Sequence, residues 1–358
     1  MTGTAFGSQW LGALVSDAEI AARLGDDMQL GDMLRVERAW TDALEAAGQV
    51  PAESAAAVRA VLDPEGIDRA ALALGVVRDG VAVPGLVAQL RARLPEAHHP
   101  ALHRGLTSQD VVDTALVMAL RDLCAVFEDR IARLSEGLNA LRLRFGDNPL
   151  MGRTRMQAAL PVTVADRIAG WCLPLDDHAA RLAQLRPRLE RVQMGGPVGT
   201  RGGLDGQGDA LAADMAARLG LAAPGRAWHV RRDGLAEFAG WLSLVSGGLG
   251  KMGQDICLMT QQGIGTVTLA AGGGSSAMAH KANPVGAETL VALGRFNAAQ
   301  LGAMHAALEH EQERSGAAWT LEWMVLPQMA LATGAALRHA ETLTGGITFM
   351  GDPPAHGA

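Results

Sequence analysis

Residues 235–259 read LAEFAGWLSLVSGGLGKMGQDICLM, and their spacing decides the fold. Apolar side chains fall at Leu235, Phe238, Leu242, Val245, Leu249, Met252, Ile256 and Met259, in steps of three and four without a break. That is the seam of a long helix packed along its whole length. A second seam runs Leu120, Leu123, Phe127, Ile131, Leu134, Leu138, Leu141, Phe145. A third runs Ala165, Ile168, Cys172, Leu175, Ala179, Leu182, with a kink expected at Pro174. A fourth helix is expected to start after Pro284 and run towards Glu313. Helices of ~30 residues are roughly 45 Å long, and an antiparallel bundle of about four or five is the way to bury such seams. Gly247, Gly248 and Gly250 interrupt the best seam at about 1 kcal/mol each. They are expected to permit close helix approach across a subunit interface.

The rest of the chain agrees with helix. Among 358 residues, 49% are apolar, yet there are only six Phe, seven Trp and no Tyr. Residues 1–105 read as several short helices punctuated by Pro51, Pro64, Pro84, Pro95 and Pro100. Residues 106–344 read as the long-helix core, and 345–358 as an irregular tail. The formal net charge of −7 argues against nucleic acid or an anionic membrane as partner, so an anionic substrate needs a local cluster of cations. No apolar run reaches the length of a membrane span, and no signal peptide opens the sequence. Cys124, Cys172 and Cys257 are sparse and odd in number, which fits reduced thiols in a cytoplasm. No Cys pair or helical His-Glu-x-x-His suggests a metal, and no phosphate-loop fingerprint is present.

Three segments place polar groups beside apolar helices. In His103–Asp110, Thr107 or Ser108 can cap a helix, with Thr107 and Asp110 spaced as a capping box. The same segment, with Gln109, can hold a carboxylate at a helix start. In Gly152-Arg153-Thr154-Arg155-Met156-Gln157, the two arginines with Thr154 and Gln157 read either as a carboxylate clamp or as a solvated basic turn. The third is Gly274-Ser275-Ser276-Ala277-Met278-Ala279-His280-Lys281-Ala282-Asn283-Pro284. Asn283 is expected as the N-cap, with Pro284 at the first helical position. Two hydroxyls, a lysine and a glycine-rich hinge suit a lid that grips a carboxylate and moves a proton. At the start of the 235–259 helix, His229 reads equally as a proton-transfer group or a surface histidine.

These segments resemble the three signature regions of the fumarase/aspartase superfamily. Gly274-Ser275-Ser276-x-Met278-x-x-Lys281-x-Asn283-Pro284 carries the most specific likeness. Thr107-Ser108-Gln109-Asp110 and Gly152-Arg153-Thr154 match the other two, in order, over roughly residues 25 to 330. His103, Trp228-His229, Arg232-Asp233, Arg314 and Glu322-Trp323 resemble the 3-carboxy-cis,cis-muconate cycloisomerase branch. The resemblance implies an all-α fold, with a long-helix bundle core, a smaller N-terminal helical domain and a truncated C-terminal domain. It implies a homotetramer whose sites draw on three subunits, and no metal or organic cofactor.

The same resemblance implies Ser275, Lys281 and His229 as catalytic residues. Thr107, Ser108, Gln109, Arg153, Thr154, Arg155, Gln157, Arg232, Ser276, Met278 and Asn283 would bind a small tricarboxylate. Lyases of the superfamily have histidine where Arg155 stands. A cycloisomerase needs no proton on its nucleophile, because a substrate carboxylate is already ionised at neutral pH. Arg155 therefore favours lactone formation. The alternatives are adenylosuccinate or another succinyl lyase, and a non-catalytic helical scaffold. Leu106, Gln312 and Ala279 depart from the branch's usual alanine, histidine and proline.

Overall fold

A computed structural model describes residues 3–270, 272–274, 278 and 282–353. Short helices lead: α1 (Leu11–Val15), α2 (Ala18–Arg23), α3 (Asp26–Ala46), α4 (Ala52–Val61), α5 (Arg69–Asp79) and α6 (Val83–Ala92). Then come α7 (Ser108–Phe145), a hairpin of β1 (Pro149–Thr154) and β2 (Gln157–Thr163), and α8 (Val164–Leu189). After α9 (Gly208–Leu219) the chain forms α10 (Asp233–Met259), β3 (Val267–Leu269), α11 (Val285–Ala306), α12 (Ala317–Gly345) and β4 (Ile347–Met350).

The seams of α7 and α10 are buried as their spacing predicts. Every α10 seam residue from Leu235 to Met259 is at most 4% exposed. Phe238 stacks on Trp241 at 5.9 Å, and Phe127 of α7 lies against both rings. The α8 stripe is Ile168, Trp171, Leu175, His178, Leu182 and Leu185, so Cys172 and Ala179 flank it instead of lying on it. Indole N–H groups fasten α8 to α10 at two levels: Trp241 donates to the His178 carbonyl at 2.9 Å, and Trp171 to Asp255 at 2.7 Å. Pro174 lies inside α8, which continues to Leu189.

Close approach by glycine occurs within the chain, between α10 and α11. A Cβ on Gly253 would stand 2.5 Å from the Ala287 carbonyl oxygen, and one on Gly294 2.8 Å from that of Ser246. Gly250 faces the Leu290 carbonyl at 3.3 Å. The expectation of a glycine contact across subunits is therefore corrected for Gly250, whose neighbour is the chain's own α11.

Two other expectations change. The tail beyond 345 is not wholly irregular, because β4 pairs antiparallel with β3 through Val267↔Met350 and Leu269↔Ile347. The apolar interior also divides differently from the expected boundary at residue 105. Val111, Val112, Ala115 and Met118 of α7 pack with the N-terminal helices, and so do Val192 to Leu219. The long helices and β4 form the second cluster.

Gly253→Ala should destabilise the protein by about 1–3 kcal/mol, since overpacking forces α10 and α11 apart. Urea unfolding measures it, and an unchanged midpoint would contradict this packing.

Candidate active site

The first polar segment forms the N-terminus of α7. Thr107 is the N-cap, and its backbone N–H donates to Asp110 Oδ2 at 3.0 Å. The Asp110 carboxylate is fully buried and accepts three more hydrogen bonds. Gly195 and Gly196 N–H donate at 2.8 and 2.9 Å, and His229 Nε2 at 2.8 Å. Gly196 has φ +69°, which a side chain would strain. Asp110 thus bolts the helix start to the glycine-rich 195–206 segment and to His229. Sequence reading missed this role; the run of glycines and a helix-start aspartate were its only local signals.

Asp110 holds His229 with the proton on Nε2, because a carboxylate can only accept. Nδ1 has no hydrogen-bond partner among the described residues. His229 is only 2% exposed, so it is no surface histidine. Thr107 and Ser108 are half-buried at the helix start. Gln109 is fully buried; its amide donates to Asp113 at 3.1 Å and to the His229 carbonyl at 3.0 Å, leaving Oε1 without a partner. Both of its amide N–H groups therefore serve the fold.

Arg232 corrects the sequence reading more sharply. Its guanidinium is 1% exposed and forks onto two carboxylates. Asp113 of α7 accepts at 2.5 and 3.0 Å, and Glu322 of α12 at 2.6 and 2.8 Å. Trp228 stacks beneath it at 4.8 Å, and Trp319 donates to Asp113 at 3.0 Å. A cation so saturated has nothing left for a substrate. Beside it, His103 Nδ1 meets Glu37 Oε1 at 2.5 Å. Burial acts to lower the His103 pKa. The Glu37 charge and hydrogen bond, with Asp110 behind them, outweigh it and lift the value above the usual 6.5.

The second segment is the β1–β2 hairpin, not a turn leading straight into helix. Thr154 pairs with Gln157, leaving Arg155 and Met156 at the tip with φ of 48° and 69°. Two left-handed residues make a tight hairpin turn that usually takes Asn-Gly. Holding bulky residues there costs on the order of 1–2 kcal/mol each and fixes where they project. Arg153, Thr154, Arg155 and Gln157 are all exposed. Thr163 then caps α8, accepting from the Asp166 N–H at 3.2 Å.

In the third segment, Ser275, Ser276 and Lys281 lie outside the described residues. Met278 is 45% exposed. Asn283 is not the N-cap; Pro284 holds that position and α11 begins at Val285. Asn283 instead forms an antiparallel bridge with Gly273, through hydrogen bonds of 2.8 and 2.9 Å. This bridge closes the neck of the segment.

The first two regions do not meet within one chain. The first starts α7 and the second follows its end, and 38 residues make a rod of about 57 Å. The third neck lies at the hairpin end: Ala270 bonds Gly346, Asn148 bonds Met350, and Asp352 bonds Pro149. One end of the bundle thus holds Thr107, Ser108 and His229, and the other holds Arg153, Arg155 and Asn283.

Residues 18–296 match the family model described as lyase. The chain belongs to that lyase family. This lyase is 39% identical, over 95% of its length, to the 3-carboxy-cis,cis-muconate cycloisomerase of Pseudomonas aeruginosa, and spans 75% of that protein. With the enzyme of the same name from Pseudomonas putida it shares 37% over 90% of its length, spanning 78% of that protein. The crystal structure of 3-carboxy-cis,cis-muconate lactonizing enzyme from Pseudomonas putida superimposes with a TM-score of 0.90 at 36% identity, covering 95% of this chain and 77% of that one. The all-α, fumarase/aspartase-type architecture follows.

Arg232→Met should cost about 3–5 kcal/mol of stability, because Asp113 and Glu322 would be left buried without their cation. Denaturant unfolding measures the loss; a variant as stable as the parent would return Arg232 to the substrate.

The His103–Glu37 pair carries a pH signature. The folded state holds the proton more tightly than the unfolded chain, so the contribution is complete below about pH 6.5 and lost as pH rises through the raised folded value. The stability gap between the parent and His103→Gln should therefore narrow as pH rises above about 6.5 and through the raised folded value. A gap that widens with pH would overturn the assignment.

Proposed function

We propose that the protein is an intramolecular lyase converting 3-carboxy-cis,cis-muconate to 4-carboxymuconolactone, in protocatechuate breakdown by the beta-ketoadipate pathway. The observation that carries this reading is Arg155. It stands at a strained hairpin tip, at the position where the superfamily resemblance implies a histidine in hydrating and amine-eliminating enzymes. Likeness over nearly the whole chain to two cycloisomerases supports it.

In this reading one substrate carboxylate attacks the diene carbon within reach, forming the ring C–O bond. The displaced electron pair flows to the carboxylate conjugated with the other end, giving an aci-carboxylate. Lys281 and Asn283 stabilise that charge. Ser275 delivers a proton to the adjacent carbon and is reprotonated from solvent, so the ionised substrate takes up one proton and, counted as free acids, substrate and product are isomers. Serine is too weak an acid unaided; the loop amides and Lys281 lower its pKa. Arg153, Arg155, Thr154 and Gln157 hold carboxylates from the hairpin, Thr107 and Ser108 from the start of α7, and Ser276 from the lid, where Met278 contributes apolar contact with the substrate. His229, with Nδ1 open, serves as an auxiliary proton acceptor. No metal or organic cofactor enters.

The two ends of α7 cannot share one pocket in a single chain, which supports sites built from three subunits of a homotetramer. We place the enzyme in the cytoplasm.

Lactonisation destroys a conjugated diene, so ultraviolet absorbance should bleach when enzyme meets 3-carboxymuconate. Ser275→Ala should slow the bleaching about 10²–10⁴-fold, the range of a lost proton donor. Near-normal turnover in that variant would remove Ser275 from the mechanism, and no bleaching by the parent would remove the cyclisation.

A further inference from the structure

A cavity of about 410 Å³ lies between the β1–β2 hairpin, the first turn of α8 and the last turns of α10. That size is within the roughly 300–1,000 Å³ typical of small-molecule sites. Its charged lining is Arg153, Arg155, Arg167, Lys251 and Asp255. In a chain of net charge −7, four cations face one carboxylate here.

That carboxylate does not neutralise the arginines. Asp255 is taken by Lys251, one turn before it on α10, and by the Trp171 indole N–H at 2.7 Å. Some arginines elsewhere are closely paired, Arg59, Arg130 and Arg186 each holding two carboxylates, while others such as Arg104 and Arg314 meet only neutral oxygens among the described residues. Arg153, Arg155 and Arg167 form no ion pair among the described residues. The only polar contact of Arg167 there is Nη1 to the Met259 sulfur at 3.5 Å, which orients the guanidinium without offsetting its charge. Arg167 is half-buried, and the positive end of the α8 dipole adds to its field. The last α10 carbonyls carry the opposite partial charge, so an anion in this cavity depends on the side chains.

We infer that Arg167, supported by Lys251, is a specificity-determining carboxylate ligand, so that the cavity beneath the hairpin takes a tricarboxylate in preference to a dicarboxylate. This rests on the cyclisation reading only for the identity of the natural substrate. Arg153 and Arg155 approach from the hairpin above, and Arg167 from the floor. Three guanidinium groups without carboxylate partners among the described residues can each meet one carboxylate, alongside the hydroxyls of Thr107 and Ser108, and a dicarboxylate leaves one guanidinium unanswered.

Calorimetric titration with propane-1,2,3-tricarboxylate, which has no diene and cannot cyclise, tests the site without turnover. The parent should bind it, and Arg167→Gln should weaken binding about tenfold, the loss of one charge-assisted hydrogen bond. Arg167→Lys should recover part of the affinity. Succinate binding should fall less than about threefold in Arg167→Gln, because the remaining arginines suffice for two carboxylates. Lys251→Gln, altered at a half-exposed side chain, should weaken the tricarboxylate about threefold and gives a second reading if Arg167→Gln folds poorly. Parental affinity in both variants, equal losses for the two ligands, or no binding by the parent would overturn the inference. Arg167-dependent binding without bleaching of 3-carboxymuconate would leave the site standing and remove the cyclisation. Bleaching with an unchanged KM in Arg167→Gln would do the reverse.

Discussion

The buried Arg232 guanidinium ties together the three helices on which the bundle is built. It sits at the start of α10 and grips Asp113 of α7 and Glu322 of α12, with both carboxylates almost wholly withdrawn from water. Such a network is costly to desolvate and costlier to break, so it sets one arrangement of helix ends against all others. Trp228, Trp319 and Gln193 complete it, and through Gln109 and His229 it continues to Asp110 and the glycine-rich 195–206 segment. The cluster at this end of the molecule owes its geometry to that one cation.

The opposite end is organised by backbone. A hairpin with two side-chain-bearing residues at its tip projects Arg155 and Met156, and the Gly273↔Asn283 bridge closes the third segment beside it. Neither device uses a buried charge. Arg153 and Arg155 stand without a carboxylate partner among the described residues where the backbone does the positioning, and Arg232 is spent where side chains do.

Periodicity made the bundle legible in the sequence, because seams such as Leu235 to Met259 reflect packing within single helices. The hairpin was not legible. Both faces of β2 are largely exposed, so no two-residue alternation marks it, and Arg-Met lacks the usual turn residues. Arg232 read as a substrate cation because its partners lie 119 and 90 residues away, beyond any local pattern. Asn283 and Pro284 form a plausible helix start, but the bridge to Gly273 draws Asn283 into an extended pairing. The separation of Thr107 and Ser108 from Arg153 and Arg155 followed only from the length of the helix between them.

The length of α7 has a consequence for behaviour in dilute solution. A core made of seams within one chain is complete at any concentration, whereas a pocket needing both ends of a rod about 57 Å long requires neighbours. On the composite-site reading, fold and catalysis then answer to different variables: temperature and denaturant govern the first, and subunit concentration governs the second. A folded but isolated chain would be stable, correctly shaped and idle.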